Sequence, residues 1–296
     1  VPPAPVEADY IAAADEILKA LSQAKRPAIY AGNGIRQASA LPLFRKFLEQ
    51  CPVPVLTSWK AADFLAEDHP LFVGRPGIVP QRGANLIQQS ADCLLALGTR
   101  LDLCQTGFRH DHFAPRAKKY IVDIDPCELA KLNMPLSGAY ALDAGLLLQE
   151  MLSRIEKYSI NCSPWLVHCK ELQRRYPVFQ EEYRHPAGSG IHLYHLIEEL
   201  SSQLGTDDIL VPGSSGACAE VTLQAFKIKA GQRLLNTPGL GSMGFALPAA
   251  IGAAIAAGGN KKITSLVGDG GLQHNIQELQ TLASLQLPVR LFVLNN

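Results

Sequence analysis

Short unbroken apolar runs alternate along the chain with stretches in which apolar residues return every third or fourth position. The runs at 27–31, 53–57, 93–97, 119–123, 209–212, 263–267 and 289–294 lack the in–out alternation of a half-exposed strand. They read as strands, those at 263–267 and 289–294 as parallel strands buried on both faces. Helical spacing predicts helices over 8–24, 41–50, 83–90, 142–158, 193–204 and 217–226. In the first of these, Ile11, Ile17, Leu18 and Leu21 share one face. Between the last two runs, Ile276, Leu279, Leu282, Ala283 and Leu285 keep the helical period until Pro288 ends it. Strands alternating with helices predict an α/β protein with two doubly wound parallel sheets.

Composition divides the pattern. Residues 1–7 are Pro-rich and read as an extended linker. Residues 8–158 form a first domain, 159–189 a polar connection carrying Pro164, Pro177 and Pro186, and 190–296 a second domain. The length of 296 residues suits about two such units. Lys plus Arg and Asp plus Glu both number 27, so no basic face points to nucleic acid and no polybasic segment to a membrane surface. Charged residues make up 18%, below the usual share of about a quarter, which favours buried surface between subunits. The apolar stretch from Phe245 to Ala257 is broken by Pro248 and Gly252 and is shorter than the roughly 20 residues of a membrane span. Seven scattered cysteines with no CxxC pair read as reduced thiols of a cytoplasmic protein. Cys162, His168, Cys169 and His185 are not at metal-ligand intervals, and a solvated helix is expected there. The chain starts at Val1 without a Met, and both ends read as cut ends.

Three glycine-rich segments carry the candidate chemistry. Gly268-Asp269-Gly270-Gly271 follows the strand at 263–267, and Asn295-Asn296 follows the strand at 289–294. This βαβ unit puts Asp269 and Asn296 at the carboxyl ends of parallel strands, where open α/β sheets bind ligands. A carboxylate and an amide oxygen suit Mg²⁺, and the glycines let backbone N–H groups approach a diphosphate. A tight strand-to-helix turn is the plainer alternative. Gly213-Ser214-Ser215-Gly216 opens a helix, either as a phosphate cradle or with Ser214 or Ser215 as a helix cap. Gly239, Gly241 and Gly244 leave the backbone bare around Ser242 and Met243, although a lone Met is ordinarily core filling. Gly32-Asn33-Gly34 fails as a dinucleotide fingerprint, because position 37 is Gln.

GDG followed by a helix and a strand ending in NN is similar to the signature of thiamine-diphosphate-dependent enzymes. GLGSMGFALPAAIGA stands before it in the order found in acetolactate synthases. EDHPLFVGRPG, ADCLLALGTRLD and AKKYIVDIDPCELAKL resemble the Rossmann-like middle domain of the same group. The resemblance covers essentially the whole chain. It implies Asp269 and Asn296 as Mg²⁺ ligands, with a further main-chain ligand beyond the double Asn. Ser214, Ser215 and Gly268 to Gly271 would lie along thiamine diphosphate, and Gly241, Ser242 and Met243 against its aminopyrimidine. It also implies that Met243 bends the cofactor into a V. His274, just after the glycines, would either border the substrate pocket or serve as a plain helix-start residue. In flavin-containing members the middle domain binds FAD. Arg100, Asp123 and Asp125 fit that site, with Arg75 a further contact, but Leu103-Cys104 replaces its second basic residue.

The resemblance places the group's catalytic Glu in a separate N-terminal domain of a partner subunit, so no catalytic residue is assigned within 1–296, and this stretch alone is not expected to turn over. The implied assembly is a homodimer or homotetramer with the active site at a subunit interface. The implied activity is decarboxylation of a 2-keto acid such as pyruvate with carbon–carbon bond formation. Alternatives are a 2-keto acid decarboxylase or aldehyde-lyase of the same fold, or a non-catalytic nucleotide-binding scaffold subunit.

Overall fold

Each apolar run becomes a strand, and the strands assemble into two separate sheets in the computed structural model. The structure describes residues 7–186, 188, 190–214 and 216–295. The chain divides into two compact units, 1–64 with 70–177 and 65–69 with 178–296.

In the first unit, β1 (Pro27–Ala31), β2 (Val55–Thr57), β3 (Phe72–Gly74), β4 (Cys93–Leu97), β5 (Lys118–Asp123) and β6 (Gly138–Ala141) form one sheet in the order β3-β2-β1-β4-β5-β6. Every pairing is parallel. The order reverses between β1 and β4, and this is the switch point of a doubly wound sheet. The helix Glu7–Gln23 buries Ala13, Ala14, Ile17, Leu18 and Leu21, a stripe at helical spacing. Each large apolar side chain of that stripe contributes about 1.5–3 kcal/mol of transfer free energy. β3 and β6 are absent from the sequence reading. They are short, and each includes a Gly, which weakens the pattern of a strand.

The stretch expected to be a solvated connection contains a helix, Ser163–Arg175, that packs into this unit. Trp165 and Cys169, one turn apart, are buried, and Trp165 Nε1 donates to Pro27 O at 3.0 Å. Lys170 Nζ donates to Phe72 O at 2.7 Å on β3, the edge strand of the sheet. The helix is therefore solvated on one face only. Its mixed charge hides an apolar stripe too narrow to stand out in sequence. All seven cysteines are free thiols, five of them buried. Burial pushes the Cys93 thiol up to about 12, so it stays protonated and inert.

In the second unit, β7 (Ile209–Pro212), β8 (Arg233–Leu234), β9 (Ile263–Gly268) and β10 (Val289–Leu294) form a parallel sheet in the order β10-β9-β7-β8. The small-residue helix Ala246–Ala256 lays Ala250, Ala253 and Ala254 on Ile209, Val211 and Ile263. Alanine lets the helix approach the sheet closely enough to exclude water. The expectation of a buried strand at 289–294 needs one correction. β10 is the outer strand of the described sheet, and its residues are only half-buried or exposed. Ile276, Leu279 and Leu285 on the preceding crossover are likewise exposed. Among the described residues, no helix is long and apolar enough to cross a membrane.

Candidate active site

The second unit brings the three glycine-rich segments together at the carboxyl ends of its strands. β9 ends at Gly268, and the short helix Asp269–Gln273 begins immediately after it. β10 pairs in register with β9, and Leu294 lies opposite Gly268. Asp269 and Asn295 are therefore the first residues beyond two adjoining parallel tips. Asn296, expected as a metal ligand, lies outside the described residues, as does Ser215.

Contacts around the glycines define the cradle. A Cβ placed on Gly270 would meet Met243 Cε at 3.5 Å, so the thioether of Met243 stands over the turn that carries Asp269. A Cβ on Gly271 would meet Gly244 N at 3.9 Å, and one on Gly241 would meet Ser214 O at 3.7 Å. The loops at 213–216, 239–244 and 268–271 thus converge. Met243 is 54% exposed, so it is not the core filler that a lone Met ordinarily would be. Ser242 is exposed and its carbonyl accepts from Phe245 N at 3.3 Å. Gly216 is the N-cap of the helix Ala217–Ala225, and among the described residues no side chain caps that terminus. Ser214 is half-buried at the mouth of the same loop. His274 is exposed, and its Cβ lies 2.9 Å from the position a Cβ on Gly244 would take.

Sequence reading missed Asn275. Its Nδ2 donates to Gly244 O at 2.8 Å and ties the second loop to the third. Nothing in the spacing marks that bond, because it joins positions 31 residues apart. Cys218 was also missed as a neighbour of the first loop, where its Sγ packs against Gly213.

In the first unit, the residues expected at a flavin already have local partners. Arg100 Nη2 bonds Glu128 Oε1 at 2.9 Å. That hydrogen bond, with the Glu128 charge, raises the Arg100 guanidinium above its ordinary value. Asp123 Oδ1 accepts from Asp125 N at 3.0 Å, and Asp125 Oδ1 accepts from Cys127 N at 2.8 Å as the cap of the helix Pro126–Ala130. Arg75 is buried with its guanidinium over the Phe72 ring. At the switch point, a Cβ on Gly32 would lie 2.2 Å from Gly98 O and 2.3 Å from Thr99 Cα. The Gly32-Asn33-Gly34 turn is therefore a backbone-on-backbone contact, sealed by Gly32 N to Leu97 O and Gly34 N to Gly98 O, both 2.9 Å.

Comparison with known proteins bears on both units. Residues 14–151 match the thiamine pyrophosphate enzyme central domain, and residues 214–296 match the thiamine pyrophosphate enzyme C-terminal TPP binding domain. The acetolactate synthase large subunit of Corynebacterium glutamicum is 34% identical over 296 residues, covering 99% of this chain and 46% of that protein. The acetolactate synthase isozyme 2 large subunit of Escherichia coli is 32% identical over 279 residues, 93% of this chain and 48% of that protein. A probable chloroplastic acetolactate synthase 2 of Oryza sativa is 36% identical over 289 residues, 95% of this chain and 42% of that protein. The chain spans about half the length of the curated relatives it matches.

Proposed function

Because the chain belongs to the thiamine pyrophosphate enzymes, we propose that it serves decarboxylation of a pyruvate-like 2-keto acid followed by carbon–carbon bond formation. The observation that carries this reading is the register that sets Leu294 opposite Gly268, with Met243 over Gly270. Asp269 and Asn295 then follow neighbouring strand tips, beside bare backbone of the kind a diphosphate can approach, which supports the reading.

The residues present fit thiamine diphosphate and Mg²⁺. Asp269 and Asn296 would hold the metal, an oxygen donor set that hard divalent cations favour. Gly268, Gly270, Gly271, Ser214 and Ser215 would line the diphosphate. Gly241 and Ser242 would offer main-chain groups to the aminopyrimidine, and Met243 would support the fold of the cofactor between its two rings. When bound, the cofactor supplies the carbon nucleophile and the electron sink that 2-keto acid decarboxylation requires. The chain's own part would be to orient and desolvate: the three loops would hold the cofactor, and Met243 would help to exclude water from it. His274 would border the substrate. In the first unit a flavin fits less well. Arg100 is engaged by Glu128, Asp123 and Asp125 are engaged by backbone N–H groups, and Leu103-Cys104 brings no cation. No step is assigned to it.

The low charge content suits buried surface between subunits, and the family resemblance implies a homo-oligomer with this site at a subunit boundary. Calorimetric titration of the full-length protein with thiamine diphosphate, with and without Mg²⁺, tests the reading. We expect metal-dependent binding that Asp269→Ala weakens by at least a hundredfold, about 2.7 kcal/mol. Metal-independent binding, or an unaffected variant, would refute it. Assaying products from pyruvate, alone and with an added aldehyde, separates carboligation from plain decarboxylation.

A further inference from the structure

Gly244 follows Met243 with φ at +84°, a region that side-chain-bearing residues rarely adopt. A Cβ there would lie 2.5 Å from Asn275 Nδ2. The Asn275 amide reaches this position because its own backbone is held on both sides, by Asn275 N to Leu272 O at 3.1 Å and Glu278 N to Asn275 O at 3.0 Å. Its Nδ2 then donates to Gly244 O at 2.8 Å. A carbonyl can only accept, so this amide orientation is the one that makes the bond. The Gly244 peptide is thereby fixed to the segment that carries Asp269, and Met243 Cε comes to stand over Gly270. We propose that Asn275 is a positioning residue for the cofactor site: its side-chain donor latches the Met243 loop to the metal-side turn, so that the two surfaces gripping the cofactor keep a fixed separation. This rests on the thiamine diphosphate reading above.

A latch of this kind acts before any ligand arrives and depends on a donor, not on size. Asn275→Asp keeps the shape but, ionised, can only accept, which sets a carboxylate against the Gly244 carbonyl. Asn275→Ala removes the group altogether. The experiment uses the full-length protein with each variant. In the first arm, without cofactor, hydrogen exchange is followed by mass spectrometry over peptides spanning 239–247. Loss of one neutral hydrogen bond should speed exchange there about three- to tenfold in both variants, with peptides of β1 and β4 unchanged. In the second arm, thiamine diphosphate with Mg²⁺ is titrated calorimetrically. Affinity should fall by a similar factor in both variants, with Asp at least as impaired as Ala. If the wild-type protein binds the cofactor and Asn275→Asp matches it in exchange and affinity, the latch is overturned while the cofactor reading stands. If the wild-type protein does not bind the cofactor, the reading and the proposal fall together.

Discussion

Gly213 directly follows β7 and begins the first glycine-rich loop, and a Cβ added there would sit 2.3 Å from Cys218 Sγ. Ordinary contact between such atoms begins near about 3.5 Å, so Gly213→Ala creates an overlap of more than about 1 Å. The strand cannot easily yield, because β7 is paired along its length with β9 and Leu266 O lies 3.5 Å from the same Cβ position. Cys218 stands in the first turn of the helix Ala217–Ala225, where one of its three staggered rotamers is closed by the preceding backbone. Relief therefore needs an unfavourable rotation or a shift of the helix, at about 1–3 kcal/mol. Cys218→Ala on its own removes one buried sulfur, worth about 1 kcal/mol. The double variant removes the clash as well as the atom, so its cost should fall below the sum of the two by about 1–2 kcal/mol. Tryptophan fluorescence would miss the effect, since Trp59 and Trp165 both belong to the first unit. Hydrogen exchange over peptides spanning 209–226 reads it directly. Additivity within about 0.5 kcal/mol would refute the close approach of Cys218 to Gly213.

Two further outcomes follow from the first unit. Gly32→Ala should cost about 3 kcal/mol or more, because its Cβ would meet main-chain atoms of Gly98 and Thr99 and no side chain can rotate away. A thermal shift of the first unit checks it, and wild-type stability would contradict the backbone contact at the switch point. Glu128 is partly desolvated, which raises its pKa, but hydrogen bonds from Lys131 and Arg100 outweigh this and hold it below the ordinary glutamate value. A carboxylate depressed in the folded state adds stability above its unfolded pKa and loses it as pH falls through the folded one. With Arg100 largely exposed, the contribution is about 0.5–1 kcal/mol. Glu128→Gln should therefore flatten the acid limb of stability below about pH 4–5 in urea titrations, and leave no pH-dependent difference at neutral pH.

Strands with an unbroken apolar run were legible in the sequence because burial on both faces demands it. β1, β4, β5, β7 and β9 all lie close to their expected positions. β3, β6 and β8 were not, since two to four residues carry no period of their own and owe their strand conformation to neighbours. The glycine-rich segments were legible as strand-end loops because glycine breaks the apolar runs there, and the structure brings them together. The partners that shape those loops were not. Asn275 and Cys218 look like ordinary helix-side residues until folding brings them within contact of Gly244 and Gly213.

The parallel pairing of β9 and β10 also bears on assembly. Two tips on adjoining parallel strands become level only after an entire crossover has been threaded between them. Slipping the outer strand forward by one residue would swing Asn295 to the opposite face and set Asp269 level with Leu294. Whatever the two tips hold in common is therefore sensitive to the alignment of β9 with β10, and so to correct threading of the crossover.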